Sequence, residues 1–519
     1  MNEGFWMTTR HCVWLVLLLY AAGCVVNPVT GEREVGWVST ESQISIGKRQ
    51  YGPAQQMQGG RYVVDPQVLG YVSAVGQRVS KFSPVDLPFE FVVLNNSLPN
   101  AWALPGGKIA INRGLLVELE TEAELASVLG HEIVHAAARH GAQYIERGAF
   151  LQGAVVAVAI GAIATDYGQA LLQGAQVAAG LINQKYGRDA ERESDLYGTR
   201  FMAQAGYDPQ ASVSLQETFV RLSGDRSEGW SRGLFASHPP SRERVRNNRV
   251  TVDQLRAEGF ENGEIGRDRH RRAIATLVRD KVAYDEFDQA RALLSDDEVQ
   301  VALEKIRNAI GMQNAEPEFH ALRGHIRLSQ ERWADAVTNY DRAVARYDGM
   351  FSYYVGRGLA HAGLGQRGLA KTDLTRSLEL LPTAIAHLEL GKIAEADADL
   401  DAAVDHFEEA AGGKGKTATE ARANLVRVDL PRRPDRYLRT SLSLDDDGRV
   451  VMQVVNSTAI DLGDLTFEVE VGYASGERVF HPTIGVLNAN TSQLVLVSDR
   501  KEQIKSGAAR VVSAAAHTD

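Results

Sequence analysis

The sequence predicts a multidomain α+β chain: a mainly helical domain with a small edge-stranded sheet, then an α-solenoid, then a small β-sandwich. Three observations carry this. Apolar residues recur at helical spacing around two clusters of histidines and carboxylates, near residues 121–140 and 187–202. A repeat of about 34 residues runs through 287–412. From about residue 436 the apolar period changes to two. A chain of 519 residues has room for three or four domains, and its net charge of −10 argues against a nucleic-acid partner. The expected divisions are a leader over 1–23, a linker and first helix over 24–60, the helical domain over 61–265, the solenoid over 270–425 and the sandwich over 432–519.

The N-terminus bears on the compartment. "CVWLVLLLYAAGC", residues 12–24, is an apolar run after Arg10 that ends in small residues. It is too short for an ordinary spanning helix and reads as a signal peptide. "AAGC" resembles a bacterial lipobox, with Cys24 as the acylated first residue, although Ala21 stands where Leu is usual. A plain signal peptide or an uncleaved anchor is the alternative. Cleavage before Cys24 removes Cys12 and leaves one cysteine, so no intramolecular disulfide is expected. By resemblance to other lipoproteins, Val25 and Val26 fit outer-membrane sorting, with the periplasm as compartment and the membrane held through the lipid anchor.

Residues 121–140 read as one helix. Thr121 can cap it, Glu122 and Glu124 suit its first turn, and Leu125, Val128, Leu129 and Val134 are apolar at helical spacing. His131 and His135 frame H-E-x-x-H and project from one face, as tetrahedral zinc requires. Glu132 flanks that face and can take a proton from a metal-bound water. His140 lies nine residues after His131, roughly 180° around the helix. Ala138 occupies the position where the three-histidine version of this motif has its turning glycine, so His140 is expected to point away.

"GRDAERESDLYG", residues 187–198, reads as a second helix. Glu191 and Asp195 share a face, and Glu193, about 200° from Glu191, is expected in solvent. Glu191 can serve as third zinc ligand, leaving one open position for water, and Asp195 can fix the tautomer of a ligating histidine. The competing reading is a solvated acidic face paired with Arg188 and Arg192.

Taken together, H-E-x-x-H followed about 60 residues later by E-x-x-x-D resembles the zinc metallopeptidase family of the BepA, HtpX, Oma-type and CaaX prenyl proteases. Three further stretches agree: "NPVTGEREVGWVSTESQISIGK" (27–48), "LPNAWALPGGKIAINRGLL" (98–116) and "SHPPSRER" (237–244). The resemblance covers roughly residues 27–250. It implies a zincin-type domain holding one zinc through His131, His135 and Glu191, with Glu132 as base and Asp195 behind the ligands. "GKIAINRG" (107–114) reads as an edge strand, which by resemblance to zinc proteases pairs with extended substrate, and Arg244 is a candidate substrate or oxyanion contact. His238 has two readings. It either opens a turn stiffened by Pro239 and Pro240, or it fills the open zinc position as an inhibitory fourth ligand.

Residues 148–165 and 167–184 are uncharged and Gly/Ala-rich with interspersed glutamines. They read as packed helices or a lid, with a membrane span as the alternative.

In the solenoid, Ala302, Ala336, Ala370 and Ala403 recur at spacings of 34, 34 and 33 residues. Ile306, Tyr340, Leu374 and Phe407 follow each by four, then Ala309, Ala343, Ser377 and Ala410. Ala290, Gly324, Gly358 and Gly391 lie twelve residues before Ala302, Ala336, Ala370 and Ala403 respectively. Small residues where helices cross and large ones where they bury is the tetratricopeptide pattern. "LTFEVEVGY" (465–473) then alternates strictly. The expected function is a lipid-anchored periplasmic zinc endopeptidase that acts on unfolded or misassembled envelope proteins. Outer-membrane assembly machinery is a possible partner of the repeats. The alternative is a tetratricopeptide chaperone or assembly factor with a latent protease domain.

Overall fold

The computed structural model describes residues 24–152, 180–182, 186–225, 237–500 and 504–517. The expected leader and most of 148–184 lie outside the described residues. Among the described residues no helix is long and apolar enough to cross a membrane. The chain divides into two compact units, 1–360 and 361–519.

The first unit opens with a hairpin, β1 (Cys24–Val26) and β2 (Arg33–Val35), in antiparallel register with Cys24 opposite Val35. Asn27 makes its turn, accepting the backbone N–H groups of Val29 and Thr30 on Oδ1. Helix α1 (Thr40–Met57) is capped by Ser39. Helix α2 (Pro66–Ser80) starts on an Asp65 cap with proline in its first turn, where the missing N–H costs nothing.

A three-stranded sheet follows: β3 (Glu90–Leu94), β4 (Ala101–Leu104) and β5 (Lys108–Asn112), in the order β3-β5-β4. Strand β3 runs parallel to β5 and β4 antiparallel to it. Gly106 and Gly107 turn the chain between β4 and β5 at φ of 76° and 84°, and a Cβ on Gly106 would fall 2.5 Å from the Cα of Ile44. The strand expected at an edge, 107–114, is therefore the central one, and β3 and β4 are the edges.

After a short turn of helix, α3 (Arg113–Leu116), comes α4 (Glu122–Ala137), capped by Thr121 Oγ1 on the Glu124 N–H at 3.1 Å. Its residues are buried throughout apart from partly exposed His131. Next are α5 (His140–Gln152), α6 (Arg188–Gln204), α7 (Gln210–Asp225), α8 (Arg242–Ala257) and α9 (Arg267–Ala273). Helix α4 packs on α6, α2 and α7, and lies beside β4.

Four helices complete the described part of this unit's array: α10 (Ala275–Ser295), α11 (Val299–Met312), α12 (Pro317–Ser329) and α13 (Trp333–Arg346). The apolar core is continuous from α2 and the sheet to Ile306, Phe319 and Ile326 of these helices. The next helix, α14 (Phe351–Gly363), contains the division between units.

The second unit holds α15 (Arg367–Leu380), α16 (Ala384–Ala396), α17 (Leu400–Ala411) and α18 (Lys416–Asp429). The repeat residues behave alike in both units. Ala302, Ala336, Ala370 and Ala403 have no exposure, and neither do Ile306, Leu374 and Phe407. A Cβ on Gly324 would meet the Tyr340 ring at 3.1 Å, and one on Gly391 the Phe407 ring at 2.5 Å. Among the described residues seven strands follow: β6 (Leu438–Leu444), β7 (Val450–Asn456), β8 (Leu462–Tyr473), β9 (Gly476–Phe480), β10 (Thr483–Leu487), β11 (Ser492–Ser498) and β12 (Ile504–Ala516). They form two sheets, β11-β7-β6 and β10-β8-β12 with β9 on β8, whose inward residues share one core.

Candidate metal centre

Two glycines bring the site together. A Cβ on Gly130 in α4 would lie 2.7 Å from the Gly198 carbonyl oxygen, and one on Gly198 in α6 would lie 2.8 Å from the His131 nitrogen. The two helices therefore touch backbone to backbone, and the side chains flanking the crossing face one another. These are His131, Glu132 and His135 on α4, and Glu191 and Asp195 on α6. His238, just before α8, joins them from a third segment.

The donor atoms converge. His135 Nε2 lies 3.0 Å from His131 Nε2, and His131 Nε2 lies 3.2 Å from His238 Nδ1. Glu191 Oε1 is 2.8 Å from His238 Nδ1 and 3.4 Å from His135 Nε2. In tetrahedral zinc with bonds of about 2.0–2.1 Å, neighbouring donors sit roughly 3.3–3.4 Å apart. The observed spacings scatter around that value, and all four donors lie within 4.8 Å of one another. Lone pairs of imidazoles and a carboxylate crowded this closely repel unless a cation lies among them. Glu132 Oε2 and His238 Nε2 are also buried without a hydrogen-bond partner. The donor set and these orphaned atoms fit a divalent metal.

Electrostatics sort the carboxylates. Burial pushes Glu132 above the usual carboxylate range, only partly opposed by His238 and His131. Glu191 is also penalised by burial, but His238 and His131 outweigh that and hold it well below the usual range. Asp195 is held low in the same way by Arg244. Burial, aided by the neighbouring His131 and His140 and opposed by Glu191, drives His135 well below its ordinary value, keeping the ring neutral, as a ligand must be.

Asp195 Oδ1 accepts from His131 Nδ1 at 3.1 Å. Arg244 in turn grips Asp195 through two bonds of 2.7 Å and stands 2.9 Å from Glu191 Oε2. Arg244, expected to contact substrate or an oxyanion, is thus spent on orienting carboxylates. On α6, Arg192 pairs at the surface with Asp189 (2.9 Å) and with Glu243 (2.7 Å). The solvated-face reading thus describes the outer side of α6, while Glu191 and Asp195 turn inward.

Two expectations are corrected. Helix α4 stops at Ala137, and Arg139 takes a left-handed φ of 63° before α5 begins. That break returns His140 to the site, where its Nδ1 lies 2.8 Å from His135 Nδ1. Arg139 is held in this unfavourable conformation by Glu146 of the next helix at 3.1 Å and by the distant Val38 carbonyl at 3.0 Å. Glu193 is not in open solvent either. It accepts from Asn27 at 2.9 Å and faces His140 Nε2 at 3.5 Å.

Sequence reasoning missed Gly130, Gly198 and Tyr186. The Tyr186 ring stacks on His135 with centroids 3.8 Å apart. A small cavity of about 30 Å³ adjoins His131, Glu132 and Asp195, between Val128, Leu215 and Phe219.

The register of β4 supplies a second feature. Asn112 N–H donates to the Asn100 carbonyl, which makes that pair hydrogen-bonded. By antiparallel alternation, Trp102 and Leu104 then bond to β5, while the N–H and C=O groups of Ala101 and Ala103 turn outward. Among the described residues, none donates to or accepts from those outward groups.

Two histidines one turn apart, a carboxylate from a crossing helix and a buried acid beside them define a metal-dependent hydrolase centre. Residues 66–251 match the family model described as Peptidase family M48. The chain is 32% identical over 247 residues to the mitochondrial metalloendopeptidase OMA1 of Schizosaccharomyces pombe, covering 45% of this chain and 70% of that protein. It is 31% identical over 247 residues to the beta-barrel assembly-enhancing protease of Escherichia coli, covering 44% of this chain and 48% of that protein. With metalloprotease YcaL of Escherichia coli it shares 30% over 193 residues, 36% of this chain and 73% of that protein. The chain belongs to peptidase family M48, the zinc metalloproteases.

Proposed function

We propose that this chain is a zinc endopeptidase of the bacterial periplasm, lipid-anchored at Cys24, that cleaves misfolded or unassembled envelope proteins. The observation that carries the reading is the convergence of His131, His135 and Glu191 beside buried Glu132. The likeness to a beta-barrel assembly-enhancing protease supports the substrate class. His131, His135 and Glu191 are assigned as zinc ligands, and zinc, when bound, supplies Lewis-acid polarisation of water and carbonyl. Glu132 takes a proton from the attacking water and returns one to the leaving amine, a task suited to its raised pKa. Asp195, held by Arg244, fixes the Nδ1–H tautomer of His131. An extended substrate pairs with the outward backbone groups of Ala101 and Ala103, so recognition rests on backbone and favours unfolded chains; because these residues are 0% and 4% exposed, that pairing requires the cleft to open.

His238 lies where a fourth ligand would, with Nδ1 turned towards His131 and Glu191. This favours the second reading in part: at rest the protease is latent, and the repeats recruit clients or outer-membrane assembly machinery. Withdrawal of the 237–240 segment then opens the position. The test is cleavage of an unfolded protein, with zinc content measured in parallel. His238→Ala is expected to raise basal cleavage while keeping zinc. Unchanged basal cleavage would leave His238 with only its turn-forming role.

A further inference from the structure

His131 has its orienting carboxylate in Asp195. The other histidine of the pair has a different arrangement behind it, built from groups that lie far apart in sequence. His135 Nδ1 meets His140 Nδ1 at 2.8 Å, and His140 Nε2 faces Glu193 Oε2 at 3.5 Å. Glu193 Oε1 accepts from Asn27 Nδ2 at 2.9 Å, and the same Nδ2 donates to Glu34 Oε1 at 3.1 Å. Gln143 holds the other oxygen of Glu34 at 2.7 Å. Asn27 is 1% exposed and His140 is 4% exposed, whereas the Glu193 and Glu34 side chains at the outer end of the chain are 17% and 24% exposed.

The hydrogen positions follow from the partners. Asn27 Oδ1 accepts the backbone N–H groups of Val29 and Thr30, so its amide nitrogen must be the atom facing Glu193 and Glu34. With its Nε2 lone pair turned to the metal, His135 carries its proton on Nδ1 and donates it to His140 Nδ1. His140 then carries its own proton on Nε2, directed at the Glu193 carboxylate. Each contact has one donor and one acceptor, and no other assignment satisfies all four groups.

From this geometry we infer that His140, Glu193 and Asn27 are positioning residues for the metal centre, and that the hairpin of β1 and β2 is part of it. The inference rests on the proposed assignment of His135 as a zinc ligand. The chain Asn27–Glu193–His140 fixes the tautomer and ring orientation of His135, as Asp195 and Arg244 do for His131. It also gives the left-handed break at Arg139 a purpose, because only that break returns His140 to His135.

Groups that orient a metal-bound histidine typically change metal affinity by about 10–100-fold when removed. The experiment is zinc affinity of the full-length chain by chelator competition, with the visible spectrum of the cobalt-substituted protein as second readout. Variants are Asn27→Ala, Glu193→Ala, His140→Phe and His140→Asn, with His135→Ala as control. Thermal melts check that each is folded. Asn27→Ala, Glu193→Ala and His140→Phe are expected to weaken zinc by about 10–100-fold and to alter the cobalt spectrum. The Asn27→Ala/Glu193→Ala double variant should be little worse than either single one. His140→Asn, whose Oδ1 replaces the Nδ1 acceptor, should recover most of the affinity. If His140→Phe does not fold, Asn27→Ala and Glu193→Ala decide. Wild-type affinity and spectrum in those variants, with zinc lost in His135→Ala, overturn the positioning role alone. Zinc retained in His135→Ala overturns the ligand assignment instead.

Discussion

The crossing of α4 with α6 and the pairing of α16 with α17 both depend on glycine, but in opposite ways. At the metal centre Gly130 meets Gly198, so backbone touches backbone and no apolar side chain fills the crossing. In the repeat Gly391 receives the ring of Phe407, a small residue against a large one. The repeat pair is thus held by apolar burial that needs nothing further. The helix pair at the centre instead buries Glu132, His135, Glu191 and Asp195 against each other. Buried charge of this kind stabilises nothing unless it is compensated, so that crossing depends on its arginine and on a cation.

The largest expected effect separates chemistry from packing at the first crossing. Glu132→Gln should lower cleavage of an unfolded substrate by about 10²–10⁴-fold with zinc retained, since the amide cannot take the proton. Because the Glu132 Oε2 atom is buried without a partner, the melting temperature should be unchanged or raised. A folded variant cleaving at the wild-type rate would remove Glu132 from the mechanism.

Zinc removal tests the contrast between regions. A ligand present at about 1,000 times its Kd stabilises by about 4 kcal/mol. Chelation should therefore cost hydrogen-exchange protection in α4 and α6 while α16 and α17 keep theirs. Equal loss in both pairs, or in neither, would break the comparison.

Substituting the glycines sharpens it. Gly198→Ala and Gly391→Ala should each cost about 1–3 kcal/mol from overpacking. Only Gly198→Ala should also weaken zinc, which the same chelator titration reads.

A smaller effect concerns Glu318 at the start of α12. Burial raises its pKa to about 7, helped by Glu316 and opposed by Tyr353. The folded state therefore binds the proton more tightly than the unfolded chain. Stability is fullest below the ordinary value of 4.5 and falls as pH rises through 7. Glu318→Gln should remove that slope, gaining on the order of 2 kcal/mol at pH 8 and little at pH 4 by denaturant unfolding. A parallel slope in the variant would assign it to another group.

The parts readable from sequence were those with short periods. His131, Glu132 and His135, and likewise Glu191 and Asp195, follow from spacing within one helix turn. The solenoid follows from a period that repeats a whole helix pair. What could not be read depends on partners distant in the chain. Arg139 breaks α4 because the Val38 carbonyl, 101 residues away, holds it together with Glu146 of the next helix, so the path of His140 was misjudged. Strands β4 and β5 flank one Pro-Gly-Gly turn symmetrically. Which of them gains β3 as a neighbour is decided by the tertiary fold, so the edge was assigned to the wrong strand. Gly130 and Gly198 carry no local signal at all, because each is required only by the other helix.

X-ray absorption at the zinc edge of the resting full-length protein tests the centre most directly. The account expects one zinc per chain with three imidazoles and one carboxylate at about 2.0–2.1 Å, one imidazole being lost in His238→Ala. A spectrum with two imidazoles and a water, unchanged in His238→Ala, would contradict the closed resting centre, and loss of no imidazole in His131→Ala or His135→Ala would contradict the site itself.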